Sequence, residues 1–421
     1  MTTLPSEPAA QDRYALRNFI ALIGDYVFFS MGLAFFDAYT VIPTFIKTTV
    51  GSTVLIGALS AIRVLALNLP QILAASVLAT QRRKKPFLVW SSTVGRLPLL
   101  GLALVTLLWM RSAPWLAVGA LVLAAIPFLV SEALNGITWP ALIGKVVPDK
   151  VRGRFFGLGQ ILSSLGAMGS GILMRQILGA GGWSDTTRWA TIFGFAFVGT
   201  MLSVVSMLFI REQAEDRPAA DRLDIMKSVR AMIVYVRSDS CLRNVVLGQI
   251  VLNIAIAAFP FFVVRAREIL PGGDAMIGWF VVLQNLGGMI GALVCGTLID
   301  HIGGRTALRA CAVAETLSLL AAAAVAVLPV PQILYPLAFF LVGFTIGSMW
   351  WSFTSYLLDI ATDEQRPVYL AASGILNSPT FIFSFIVGGL FQIVLPEAVL
   401  AGAAAVSLTG LVIVWRLPKR R

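Results

Sequence analysis

Apolar stretches of about 20 residues or more, separated by short charged punctuation, recur from one end of the chain to the other. As helices rising 1.5 Å per residue, such stretches are long enough to cross the roughly 30 Å hydrocarbon core of a bilayer. The pattern predicts helices at 18–46, 54–80, 86–109, 114–144, 154–179, 188–210, 244–267, 275–299, 306–328, 332–358, 367–394 and 397–415. A soluble domain has no use for a dozen runs of this length. The expected fold class is an all-α integral membrane protein with twelve transmembrane helices.

Composition matters chiefly for what it excludes. Apolar residues make up 58% of the chain and charged residues 13%, against roughly 45–50% and about 25% in soluble domains. The net charge of +11 would suit a nucleic-acid partner, but its distribution reports topology instead. With both termini cytoplasmic, the inner segments hold 24 of the 32 Lys and Arg, and the outer ones hold six. That asymmetry follows the positive-inside rule with an even number of spans, in the cytoplasmic membrane. The polar first 17 residues lack the apolar core of a signal peptide, leaving the first segment to direct insertion. Cys241, Cys295 and Cys311 lie far apart and imply no disulfide framework. The lone His301 and a Gly144-Lys145 pair without the rest of a P-loop argue against metal, triad or ATP chemistry. No catalytic residue, metal or cofactor is expected, and the partners are a small-molecule substrate, protons and the lipid bilayer around a functional monomer.

The second six segments echo the first six. Pro43 corresponds to Pro260, the loop ending in Arg82-Arg83-Lys84-Lys85 to the loop ending in Ile302-Gly303-Gly304-Arg305, and Asp149 and Arg152 to Asp363 and Arg366. The offsets of 217, 220 and 214 residues agree on a duplication near half the chain. The expected organisation is a tail at 1–17, a six-helix bundle at 18–210, a linker at 211–243, a second bundle at 244–415 and a basic tail at 416–421. Leu223, Met226, Val229, Ile233 and Val236 recur at helical spacing, which predicts an amphipathic linker helix on the inner membrane surface.

At this point the chain resembles the major facilitator superfamily (MFS), whose signature loop has the form Gly-x-Leu-x-Asp-x-x-Gly-x-Arg. Gly296, Leu298, Asp300, Gly303 and Gly304-Arg305 nearly complete it, whereas the first-half copy keeps only the basic end, Arg82 to Lys85. The resemblance implies two pseudo-symmetric six-helix bundles and a cytoplasmic gate formed by Gly296, Asp300, Gly303, Gly304 and Arg305. Asp300 would accept hydrogen bonds from a neighbouring helix N-terminus and pair with a basic residue. The Gly-Pro motif of the family's drug-antiporter branch is absent, because residues 166–167 read Gly166-Ala167. Glycines at 157, 159, 166, 169 and 171 fit close, sliding helix contacts.

Ionisable residues at mid-membrane cost roughly 2.5–3.5 kcal/mol each on insertion scales, so they pair or line cavities. Asp37 and Arg63 lie at similar distances from the turn near Gly51 and should share a depth about 13–15 Å below the helix ends. An ion pair between them is expected, either as a packing element or as a coupling site. Glu132 and Asn135 share a helix face, and the resemblance places that helix at the cavity. Arg96, Asp25 and Glu315 are candidates for structural charge networks, with Arg96 neutralising Glu132 or Asp25. The second half offers Asn253, Gln284, Asn285, Trp350, Trp351 and Asn377 as neutral or aromatic substrate candidates. A charged first half and a neutral, aromatic second half favour an amphipathic or organic-ion solute over a sugar. The expected function is therefore secondary active transport of a small organic solute by rocker-switch alternating access, with proton-coupled efflux as the leading direction. A membrane-embedded lipid-modifying enzyme, or a sensor that has lost flux, is the alternative.

Overall fold

In lipid every backbone amide must find its partner within the segment, so long apolar runs become helices. The computed structural model describes residues 14–79, 81–213, 234–327, 334–362 and 365–418. Among them there is no strand, and eleven helices are long and apolar enough to cross a membrane. A further segment is apolar over Thr53–Asn68. The chain is a multi-pass membrane protein.

The first six elements are α1a (Ala15–Ala34) with α1b (Val41–Val50), α2 (Thr53–Ala79), and α3a (Lys85–Arg96) with α3b (Pro98–Trp109). They continue with α4 (Pro114–Val146), α5 (Asp149–Leu178) and α6 (Asp185–Leu208). The second six are α7a (Ser240–Ile256) with α7b (Pro260–Ile269), α8 (Met276–His301), α9 (Gly304–Val327) and α10 (Leu334–Ile360), then α11a (Arg366–Asn377) with α11b (Phe381–Ile393) and α12 (Pro396–Trp415). The predicted amphipathic linker helix falls mainly within 214–233, outside the described residues, as do Asp363 of the repeat comparison, most of the N-terminal tail and half of the C-terminal one.

Neighbour relations repeat between the halves. In the first, α1a packs on α6 and α3 on both α4 and α6; in the second, α7a packs on α12 and α9 on both α10 and α12. The helix ends repeat as well. Lys85, at the start of α3a, donates to the carbonyls of Leu208 (2.8 Å) and Ile210 (2.7 Å) past the end of α6. Its counterpart Arg305, at the start of α9, reaches the Trp415 carbonyl ending α12 at 3.5 Å, where Arg309 also donates. Cations thus meet the unpaired carbonyls of a helix C-terminus in both copies.

The compact units do not follow the sequence halves. One comprises 1–36, 66–170 and 182–222; the other comprises 37–65, 171–181 and 223–421. Segments 37–65 and 171–181 of the first six helices thus pack with the second six. Two glycine crossings explain how they come so close. A Cβ on Gly57 of α2 would lie 2.4 Å from the Ser384 carbonyl oxygen and 3.0 Å from the Gly388 Cα of α11b. A Cβ on Gly278 of α8 would lie 2.4 Å from the Gly171 carbonyl oxygen of α5. Only glycine admits these backbone contacts. The crossings are also related by the duplication, since Gly57 corresponds to Gly278 and Gly171 to Gly388. Among the other helix-5 glycines, Gly159 faces Tyr26 and Gly166 faces Met31, while Gly157 and Gly169 face open space.

Candidate functional site

Four helices predicted as continuous are broken, and the breaks in helices 1 and 7 fall at corresponding places in the two halves. Helix 1 stops at Ala34 and resumes at Val41, with Pro43 in its new first turn; helix 7 stops at Ile256 and resumes at Pro260. A proline has no amide to donate, and in a first turn none is required, so Pro43 and Pro260 restart helices cheaply. Asp37 holds the first break. Its Oδ1 accepts from the amides of Tyr39 (2.9 Å) and Thr40 (2.8 Å) and from the Thr40 hydroxyl (2.7 Å). Its Oδ2 accepts from Gln284 Nε2 of α8 at 3.0 Å.

The expected Asp37–Arg63 ion pair is not formed. Arg63 instead donates to the Tyr39 hydroxyl at 2.7 Å, with its guanidinium carbon 4.8 Å from the centre of the same ring. Tyr39 therefore stands between the two charges. The physical reason is the break itself, which turns the Asp37 carboxylate back onto backbone amides that a continuous helix would have satisfied. Tyr39 also meets Phe259 at the helix-7 break edge-on, with centroids 6.1 Å apart. Gln284 is buried, and its Oε1 has no hydrogen-bond partner among the described residues. One turn before the helix-7 break, Asn253 donates to Asn377 Oδ1 at 2.8 Å. Asn285 is turned onto its own helix, donating to the Val281 carbonyl at 2.8 Å.

The first unit contains a different cluster. Arg96 is 2% exposed and pairs with Glu132 at 3.2 Å. It also donates to the Thr200 carbonyl and the Ser203 hydroxyl, each at 3.0 Å, and lies over the Phe29 ring. Ser203 donates to Asp25, whose other oxygen accepts from Trp139 Nε1 at 2.7 Å. Asn135 donates to Glu132 (3.3 Å) and Ser92 (3.0 Å) and accepts from Ser91 (2.8 Å). Glu132 and Asn135 thus belong with Arg96 and Asp25 in one network joining α1a, α3a, α4 and α6. In the second unit, Glu315 is fully buried and accepts from Ser407 of α12 at 3.0 Å.

Trp350 and Trp351 are 62% and 56% exposed and pack edge-on against each other. The signature loop differs from expectation. Asp300 is exposed and accepts no hydrogen bond among the described residues; Asp359 of α10 accepts from the Gly304 amide at 3.1 Å instead. Gly303 has φ +110°, a turn that a side chain would strain, and Gly296 faces open space. In the first half Glu212 does this capping, accepting from the Lys84 and Lys85 amides, each at 2.8 Å, and from Lys145 at 2.9 Å. Tyr39, Phe259, Glu212 and Asp359 are the residues that sequence reasoning missed. The Asp37-x-x-Thr40 spacing ahead of Pro43 was the readable signal for the first break.

Helix order, paired breaks and repeated neighbours define the MFS fold. The solved structures agree over nearly the whole chain. A variant of the nucleoside transporter NupG is similar at 12% identity and TM-score 0.70, covering 96% of this chain and all of that one. The xylose transporter XylE from E. coli, partially occluded and inward open, matches at 12% identity and TM-score 0.68, covering 97% of this chain and 98% of its own. A bacterial homologue of the iron transporter ferroportin, inward-facing, matches at 13% identity and TM-score 0.68, covering 96% and 98%. No protein-family model matches the sequence, and neither does any curated protein.

Proposed function

We propose that the chain is a secondary transporter that moves a small organic solute by alternating access, recognising it beside the breaks of helices 1 and 7. One observation carries this reading: at the paired breaks Asp37 contacts Gln284, whose buried Oε1 has no hydrogen-bond partner among the described residues, and Tyr39 contacts Asp37, Arg63 and Phe259. Discontinuous helices at corresponding positions of two repeats are the strongest structural pointer to a transporter site. The mixture of one carboxylate, one guanidinium and aromatic rings suits an amphipathic organic solute.

Proton-coupled efflux is the finer reading. Asp37 is its coupling carboxylate, because it sits at the helix-1 break, whereas Glu132 belongs to the Arg96 network away from either break. The test begins with a thermal-stabilisation screen of the purified protein, since a bound solute stabilises by mass action. Flux of the hit is then measured in proteoliposomes under an imposed pH gradient. Arg63→Gln and Gln284→Ala should each lower flux by about tenfold or more while melting close to wild type, the loss expected from a charged or buried contact. Wild-type flux in both variants would remove the site, and gradient-independent movement would remove the coupling.

A further inference from the structure

The tip of α6 on the basic face is flanked by two grooves of unequal character. One, about 560 Å³, runs between α3a and α6. Its floor is Trp90, Val94 and Leu208, which are 61%, 47% and 54% exposed, and its rim carries Arg83, Lys85 and Arg211. The other, about 590 Å³, lies between α1a and α6, with Ile20, Phe28 and Phe209 along it and Arg17 at its mouth. The local acid is already committed: Glu212 caps α3a and pairs with Lys145. Lys85 and Arg17 are likewise occupied, donating to the carbonyls that end α6. Arg83 and Arg211 are exposed, and neither guanidinium meets an acceptor among the described residues.

We propose that this face binds one anionic glycerophospholipid, its phosphate between Arg83 and Arg211 and its two acyl chains along the two grooves flanking α6. Charge complementarity and depth select this occupant. From Arg83 to Val94 the rise is about 16 Å, so the slot descends from the interface into the hydrocarbon, with Trp90 at the boundary where indoles concentrate. A free anion needs no apolar slot, and a zwitterionic lipid gains less from two guanidinium groups. Basic residues near a membrane surface attract anionic lipids through the same field.

The experiment is native mass spectrometry of the full chain in detergent, titrated with dioleoyl phosphatidylglycerol or with phosphatidylcholine of the same chains, alongside melting curves. Phosphatidylglycerol should be retained preferentially and raise the melting temperature. Arg83→Gln with Arg211→Gln should weaken its binding roughly 30-fold without changing the lipid-free melt. Arg83→Lys with Arg211→Lys should restore most of it, and Val94→Asp should weaken retention through the slot alone. Equal retention of phosphatidylcholine, an unaffected double Gln variant, or equal protection by inorganic phosphate would each overturn the proposal. None of these readouts depends on flux, so they stand apart from the transport reading.

Discussion

Arg96 and Arg63 each place a guanidinium within a membrane helix, and the protein treats them differently. Arg96 is enclosed by a carboxylate, a carbonyl, a hydroxyl and a ring, and its cluster joins four segments of one unit. Arg63 is half-buried and meets a single hydroxyl and the face of the ring that carries it. A buried charge that already meets a carboxylate, a carbonyl and a hydroxyl holds helices together, although its Nε has no hydrogen-bond partner among the described residues. A charge with donors to spare remains able to exchange partners. The contrast separates a strut from the proposed site.

The largest effect should come from breaking the strut. Arg96→Leu leaves the half-buried Glu132 beside Asn135 without its cation and should cost about 2–3 kcal/mol, read as a lower melting temperature or lost expression. If it melts like wild type while Arg63→Gln does not, the contrast is inverted. Gly278→Leu comes next: a side chain 2.4 Å from the Gly171 carbonyl oxygen should reduce flux by about tenfold or more while keeping the fold. Labelling of a cysteine introduced near this crossing should rise in the same variant; unchanged labelling and flux would show that the seam stays put. Exchanging Asp37 and Arg63 should restore nothing relative to either single neutralisation, because arginine at position 37 cannot accept from the Tyr39 and Thr40 amides. Rescue by the exchange would reinstate the direct pair. Glu212→Gln should cost about 1–2 kcal/mol and Asp359→Asn about half that, since two amides and an ammonium depend on the first. Smallest of all, Asp300→Asn should shift stability by less than about 0.5 kcal/mol, because the carboxylate is exposed and accepts no hydrogen bond among the described residues.

Helix positions were readable because lipid leaves the backbone one solution, and the twelve predicted segments each find their helix within a few residues. The Arg96–Glu132 contact was readable too, since buried charges must find each other. Asp37 was harder. Its depth followed from counting along a continuous helix, and the continuity failed at residues 35–40, where a capping carboxylate competes with the helix for its own amides. The loop motif misled in a related way. Asp300 matches the signature by spacing, but hydrogen bonding at the helix start is decided by reach across space, and Asp359 is the carboxylate within reach. The glycines at 57, 171, 278 and 388 were visible as residues but not as two symmetric crossings, because pairing between distant helices leaves no periodicity in the chain.

Those crossings set a thermodynamic scale for the proposed cycle. Where backbone lies on backbone, no long side chain is frozen or stripped of its surroundings when the seam closes, and none is released when it parts. In the proposed cycle, closing and opening then exchange little side-chain free energy at the seam itself, which favours two states only a few kcal/mol apart. A gap of that size is one that the binding of a single solute can tip. A seam of interlocking leucines would close more tightly and turn over more slowly, which makes the smallest side chain in the protein a determinant of its speed.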